Sequence, residues 1–221
     1  AELMAQGYNI PASDTLAMFG DAHSTNWAEN YQFFMNQNNP ANFERVWTNA
    51  YYLYRRIGAI THQPVPFDQV NVDTNQLCPT RFNKLPTGDP YYAKVMFHDQ
   101  RFNPDGSEKP DFILNREPYR HAQIIVADRN WGGGSSRESA VYALQAFGIR
   151  AVVASSFGDI HRNNCLKNGV LPAQLPVETC ERLRKQLHEK VGATITIDLA
   201  AQTVTGPDGK SHIFDIAAVP K

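Results

Sequence analysis

The stretch that most constrains the fold is Asn130-Trp131-Gly132-Gly133-Gly134-Ser135-Ser136-Arg137-Glu138-Ser139. Just before it, Ile124, Ile125 and Val126 form a short apolar run that reads as a buried strand within residues 121–128. After it, Ala140, Val141, Leu144 and Phe147 recur at helical spacing, and Gly148 stands where such a helix would stop. The pattern is strand, glycine-rich turn, helix. Three glycines let a bound group approach the backbone without interference from Cβ atoms. A helix start adds unpaired N–H groups and the positive end of its dipole. An anion bound there meets the hydroxyls of Ser135 and Ser136 and the guanidinium of Arg137. The plainer alternative is that one serine caps the helix and the glycines only turn the chain. A dinucleotide loop fits less well, because Gly132, Gly134 and Arg137 lack the third glycine of that fingerprint and no suitable acid follows a second strand.

The rest of the chain is organised around that unit. Residues 1–58 stand apart, with a short helix expected over 26–36. A longer helix follows, opened by Asn39 and Pro40, carrying Phe43, Val46, Trp47, Ala50, Tyr54 and Ile57 in a stripe and ending at Gly58. That stripe packs on its own domain or docks a partner. Residues 62–67 read as a proline-punctuated entry and 69–77 as a strand running into a polar turn. Residues 80–94, with Arg81, Lys84, Pro86, Gly88 and Pro90, have turn chemistry and little periodicity, as binding loops often do. Residues 99–114 read mostly as loop, with an Asn103-Pro104-Asp105-Gly106 turn. A second apolar strand is expected over 150–155. Ser156 with Asp159 resembles a capping box for a helix that Gly169 closes, and His161 on that helix is assigned no role. A strand over 170–175 and an amphipathic helix over 178–190 follow, with Leu183 and Leu187 inward and Arg182, Lys185 and Glu189 outward. Residues 194–199 alternate as a strand, and Gly206-Pro207-Asp208-Gly209 turns a terminal hairpin between 202–205 and 212–216. Strands alternating with helices imply an α/β layered structure.

Charge and cysteine usage narrow the partners. The 221 residues suit one domain with an appendage, or two small domains, and a formal net charge of −1 argues against a nucleic-acid or acidic-membrane partner. No apolar run approaches a membrane span and no basic-then-apolar leader pattern is present, so a cytoplasmic location is expected. Cys78, Cys165 and Cys180 are scattered and cannot by themselves complete a four-thiolate cluster or a zinc site. Sparse, odd cysteines fit a reducing compartment.

Three ordered blocks carry a family resemblance. They are Asn71-Val72-Asp73-Thr74-Asn75-Gln76-Leu77, Gly134-Ser135-Ser136-Arg137-Glu138, and Ser156-Phe157-Gly158-Asp159-Ile160-His161-Arg162-Asn163-Asn164-Cys165-Leu166-Lys167-Asn168-Gly169-Val170-Leu171-Pro172. Lys109-Pro110-Asp111-Phe112-Ile113-Leu114-Asn115 fits between the first two. Together they resemble the swivelling domain of the aconitase superfamily, and within it the small-subunit family of 3-isopropylmalate dehydratase (isopropylmalate isomerase), over residues 60–221. The resemblance implies a layered β/β/α domain over 59–221, preceded by a helical extension over 1–58.

It also implies a chemistry. In this superfamily a [4Fe–4S] cluster with one open iron acts as Lewis acid on the leaving hydroxyl and a carboxylate, while a serine alkoxide removes the proton. By motif that serine is Ser135, and Arg137 binds a substrate carboxylate, with Gly134, Ser136 and Asn75 lining the site. The segment 80–94 reaches over the substrate in the family, which makes Arg81 and Lys84 candidates for a carboxylate contact, or else solvated loop residues. A serine needs donors that favour its oxyanion before it can act as a base, and the planar fork of Arg137 suits a carboxylate. The cluster is expected on a separate large subunit, so that this chain is active only in a heteromer. Three positions depart from the family pattern: Gly133 where cysteine is usual, Ser139 where histidine is usual, and Asn75 in place of the second acid of Asp-Thr-Asp. The expected activity is interconversion of 2- and 3-isopropylmalate in leucine biosynthesis. The rivals are a (de)hydratase subunit for another hydroxy-diacid, such as a methyl- or dimethylmalate, and a non-catalytic anion-binding or assembly module.

Overall fold

A computed structural model describes residues 59–216. The helices expected within 1–58 lie outside the described residues.

The chain enters through β1 (Ala59–His62), which pairs antiparallel with a strand far downstream, and passes at once into β2 (Val65–Phe67). Then β2, β3 (Ile124–Ala127), β4 (Ala151–Ala154) and β5 (Leu171–Gln174) form a parallel sheet in that spatial order. Proline cannot donate to a ladder, and the two prolines of this sheet, Pro66 and Pro172, both lie on its edge strands. The second sheet is antiparallel, in the order β1, β6 (Ile195–Asp198), β7 (Thr203–Thr205), β8 (Ser211–Ile213). Gly209, with φ of 75°, turns the hairpin between β7 and β8.

Among the described residues six α-helices accompany the sheets: α1 (Thr74–Leu77), α2 (Tyr92–Val95), α3 (His98–Arg101), α4 (Ser139–Phe147), α5 (Asp159–Asn168) and α6 (Val177–Glu189). Period-two alternation in the central strands divides the core. Ile125, Ala127, Val152 and Ala154 face a core shared with Leu77, Tyr92, Phe97, Val141 and Leu144. Ile124, Val126, Ala151 and Val153 face the other way, against Cys180, Leu183 and Leu187 of α6 and Ile195, Ile197 and Val204 of the antiparallel sheet. Strands buried on both faces read as unbroken apolar runs, which is why Ile124–Ala127 stands out in the sequence.

Three local expectations are corrected. Residues 69–77 contain no strand; the strand is β2, earlier, and the chain then enters α1. There the Asp73 carboxylate accepts from the Gln76 N–H at 2.7 Å while the Gln76 side chain accepts from the Asp73 N–H at 2.9 Å, a reciprocal cap that selects the helix. Neither Ser135 nor Ser136 caps α4, which begins at Ser139 after Glu138 without a side-chain cap. Nor does Ser156 cap α5; its hydroxyl instead accepts from the Asn130 N–H at 2.8 Å. Within residues 80–94 the regular pieces are a 3-10 turn at Thr80–Phe82 and α2.

Helix α6 is fastened to the carboxyl ends of the parallel strands by Arg184. This side chain is buried, and it donates to the Ala127 carbonyl at 2.8 Å, to Asp68 at 3.1 Å, and to Asp128. His188 adds a second contact to Asp68 at 2.7 Å. Arg184→Met keeps the apolar stem but removes the donor to the Ala127 carbonyl and to Oδ2 of Asp128, a largely buried carboxylate then left with the Arg129 N–H alone. We expect a stability loss of about 2 kcal/mol by urea unfolding. A loss below about 0.5 kcal/mol would mean that water replaces the guanidinium there.

Candidate active site

The glycine-rich stretch is held between the two segments that follow its neighbouring strands. On one side the Gly132 N–H donates to the Val72 carbonyl at 2.6 Å and the Thr74 N–H donates to the Gly133 carbonyl at 2.9 Å. On the other the Trp131 N–H donates to the Ser156 carbonyl at 3.0 Å and the Gly158 N–H donates to the Trp131 carbonyl at 2.8 Å. These are isolated parallel bridges that carry the pairing of the sheet past the ends of its strands. Asn130 adds a side-chain contact, donating to Asn71 at 3.0 Å.

Packing within the chain accounts for the glycines. At Gly132, φ is 74°, and a Cβ there would lie 2.0 Å from Cδ2 of His161. A Cβ on Gly158 would meet the Gly132 carbonyl oxygen at 2.6 Å, and backbone cannot step aside. Gly134, with φ of 97°, lies against Thr74 and Asp73. At Gly133 a side chain would press on Asn130 at 3.3 Å, so the cysteine usual in the family needs that amide to shift. The sequence alone suggested close approach of a ligand; the structure shows close approach of His161 and of the chain's own backbone.

His161 is the floor of this arrangement. It is 1% exposed, burial holds its pKa down to about 4, and Nε2 lies 3.4 Å from the Cys165 thiol. Nδ1 is buried without a partner, and so is Nε1 of Trp131. Burial also raises the thiols of Cys165 and Cys180, the latter to about 11.

Above that floor, Ser135 and Ser136 are exposed and Arg137 is half-buried. Nη1 of Arg137 donates to the side-chain oxygen of Asn75 at 3.1 Å. The same oxygen accepts from the Thr80 N–H at 3.0 Å and from the Thr80 hydroxyl at 2.9 Å. The first and second motif blocks, 62 residues apart at this contact, are therefore joined at Asn75. Among the described residues Arg137 has no carboxylate partner, unlike Arg81, Arg116, Arg120 and Arg184. Thr74, 1% exposed, donates to the Ser135 carbonyl at 3.2 Å and lies 3.4 Å from the Ser135 hydroxyl.

The remaining candidates are placed differently. Arg81 turns to Asp99, with Nη1 donating at 3.0 Å and Nη2 also bonded, and to His98 at 3.1 Å. The Arg81 hydrogen bond holds the Asp99 carboxyl below the usual carboxylate range. Lys84 is exposed. Two links were not anticipated from the sequence. One is Thr74, which sits inside a quoted motif block. The other is Ser139, whose hydroxyl donates to Asn83 at 3.0 Å, where Cys78 also approaches at 3.8 Å. Burial raises the Cys78 thiol, opposed by its Ser139 contact and the Arg137 charge. Among the described residues no group of three His, Cys, Asp or Glu side chains is placed to hold a metal ion, and no helix is long and apolar enough to cross a membrane.

A mixed α/β domain with a serine–arginine turn clamped beyond the ends of its parallel strands defines a class, and the comparisons agree. The family model described as the aconitase C-terminal domain matches residues 63–178, so the chain belongs to that family; a further model, LeuD_N, matches residues 181–218. Among curated relatives, a "3-isopropylmalate dehydratase small subunit" of Gluconobacter oxydans (strain 621H) is 46% identical over 159 residues, which is 71% of this chain and 75% of the relative. A protein of the same description from Rhodopseudomonas palustris (strain BisB18) is 49% identical over 153 residues, 68% of this chain and 75% of the relative. A solved structure, 3-isopropylmalate dehydratase from Methanocaldococcus jannaschii, superposes with a TM-score of 0.51 at 27% identity, covering 71% of this chain and 81% of that one.

The histidine under the loop gives a pH prediction. An unfolded histidine titrates near 6.5, and His161 in the fold near 4. Between these values the unfolded chain binds more protons, so stability is lost as pH falls from about 6.5 towards 4. From pH 7 to 5 this one group contributes a loss of about 2 kcal/mol. His161→Phe should flatten the stability slope between those pH values by about that amount, read from urea unfolding at each pH. An unchanged slope would mean that the ring reaches water.

Proposed function

We propose that this chain is the small subunit of a 3-isopropylmalate dehydratase, a hydro-lyase that interconverts 2- and 3-isopropylmalate by dehydration and rehydration in leucine biosynthesis. The observation that carries the reading is the joining of Asn75 to Arg137 beside an exposed Ser135, on a loop whose position is fixed from both sides. The relatives' descriptions supply the substrate. Residues 59–221 are read as the swivelling domain.

On this reading the chain contributes the proton-transfer half of the reaction. Arg137 grips a substrate carboxylate through its free guanidinium edge, oriented by Asn75 on the other. Gly134 and Ser136 line the approach to the same anion. Ser135 Oγ takes the proton from the carbon beside the departing hydroxyl, and the adjacent guanidinium favours the oxyanion that does so. Arg81 would reach a second carboxylate only by exchanging Asp99 for it, and Lys84 would reach one from the same segment. Expulsion of the hydroxyl needs a Lewis acid. The three cysteines follow α1 and sit within α5 and α6, all buried, and do not fit a cluster. On this reading a larger partner subunit carries the [4Fe–4S] cluster, and these thiols hold none of it.

The test uses the assembled complex with 3-isopropylmalate. Ser135→Ala should lower kcat roughly a hundredfold or more while KM holds, since only the base is lost. Because Ser135 is exposed and caps nothing, the melting temperature should not move. Arg137→Lys keeps the charge without the two-point grip, and both kcat and KM should worsen. A fully active Ser135→Ala enzyme would end the catalytic reading of this turn.

A second reading, a subunit for another small hydroxy-diacid, is favoured by one observation: the partner of Arg137 is a neutral amide. Asn75→Asp would neutralise the guanidinium and compete with the substrate for it. KM for the true substrate should rise several-fold with little change in kcat. Comparing kcat/KM for isopropylmalate, methylmalate and dimethylmalate in both forms identifies that substrate.

A further inference from the structure

We infer that Thr74 is the positioning residue for Ser135 and the donor that stabilises its ionised hydroxyl. The inference rests on the reading of Ser135 as the base.

Thr74 touches three consecutive residues of the loop. Its N–H holds the Gly133 carbonyl at 2.9 Å, its hydroxyl oxygen lies 3.5 Å from where a Gly134 Cβ would stand, and the same hydroxyl donates to the Ser135 carbonyl at 3.2 Å. It is the first residue of α1, whose start is fixed by the reciprocal Asp73–Gln76 cap. A β-branched side chain on a fixed backbone has few rotamers, so the hydroxyl oxygen is held in one place. At 1% exposure, water does not substitute for it.

One hydroxyl has one proton and here two acceptors within reach. With Ser135 neutral, that proton goes to the Ser135 carbonyl. The Ser135 hydroxyl oxygen, 3.4 Å away, is then the weaker acceptor. Once Ser135 ionises, its oxygen becomes the stronger acceptor, and rotation about the Thr74 Cβ–Oγ1 bond turns the proton to it without moving a heavy atom. A donor that favours the charged form lowers the serine's pKa. The surrendered Ser135 carbonyl belongs to an exposed residue and can be taken up by water.

The experiment is Thr74→Val, which keeps the shape and removes the donor, and Thr74→Ser, which keeps the donor, each in the assembled complex. Thr74→Val should lower kcat about tenfold, the scale of one hydrogen bond to a charged group. KM should stay within about twofold, and the kcat–pH profile should move to higher pH. Thr74→Ser should keep most of the turnover. In a Ser135→Ala background, Thr74→Val should cause no further loss, because the two act as one unit. Wild-type kcat in Thr74→Val, an equal loss in Thr74→Ser, or losses that add in the double variant would each overturn the inference. Should Thr74→Val fail to fold, as judged by its melting curve, Thr74→Ala read against Thr74→Ser gives the same contrast. If Ser135→Ala itself retains turnover, the base assignment falls first. If Ser135→Ala is inactive and Thr74→Val is not impaired, only the role of Thr74 falls.

Discussion

Two backbone hydrogen bonds, from Gly132 to Val72 and from Thr74 to Gly133, are what the rest of the site depends on. They continue the β2–β3 pairing beyond the strands, so that two segments some 60 residues apart run side by side as if the sheet had not ended. Side chains stand on the faces of such a ladder, so the pairing alone does not demand glycine; His161, packed against one face at Gly132, does. The third segment, at Gly158, closes on the other side and removes what room was left. The glycine run follows from this crowding. Once the loop is fixed, Ser135 and Arg137 have defined neighbours, and the chemistry proposed for them has a geometry to work with.

Much of this was legible in the residues. Ile124, Ile125 and Val126 marked a strand buried on both faces, and Ala140 to Gly148 marked a helix and its left-handed stop, because apolar periodicity and a C-terminal glycine report local rules that the tertiary structure kept. The terminal hairpin was legible for the same reason. The first motif block was harder. Val72 invites a strand reading, and only the Asp73–Gln76 spacing told of a helix cap. The glycines misled in cause rather than in kind: sequence shows that a Cβ is excluded but not what excludes it, and here it is His161 and the carbonyl of Gly132. The serines that looked like caps serve other ends, since α4 starts three residues past Ser136 and Ser156 serves Asn130. Buried roles of Thr74 and Arg184 depend on contacts between distant segments, and no local pattern announces them.

Arginines in this domain show how differently one side chain can be used. Arg184 is surrounded by carboxylates and a carbonyl and ties a helix to a sheet. Arg101 is buried among carbonyls and the Asn115 amide, and desolvation brings its pKa down to about 10. Arg81 is committed to Asp99 at the surface. Arg137 is held by a neutral oxygen, which orients the group without cancelling its charge. Arg101 also lacks a carboxylate but is buried, whereas Arg137 is half-buried, so its fixed, unbalanced charge is the one of the four placed to meet an anion arriving from outside the chain.

The side-chain oxygen of Asn75 accepts from Arg137 and, twice, from Thr80. Thr80 opens the segment that leads to Arg81 and Lys84. The segment proposed to reach over the substrate and the arginine proposed to grip its carboxylate thus hang from a single atom. On the proposed roles, selectivity and grip would not be separable traits. On those roles, a sequence change that reshapes the loop at Thr80 would shift the arginine with it, and specificity would drift through paired changes at positions 75 and 80 rather than by free variation in the loop alone.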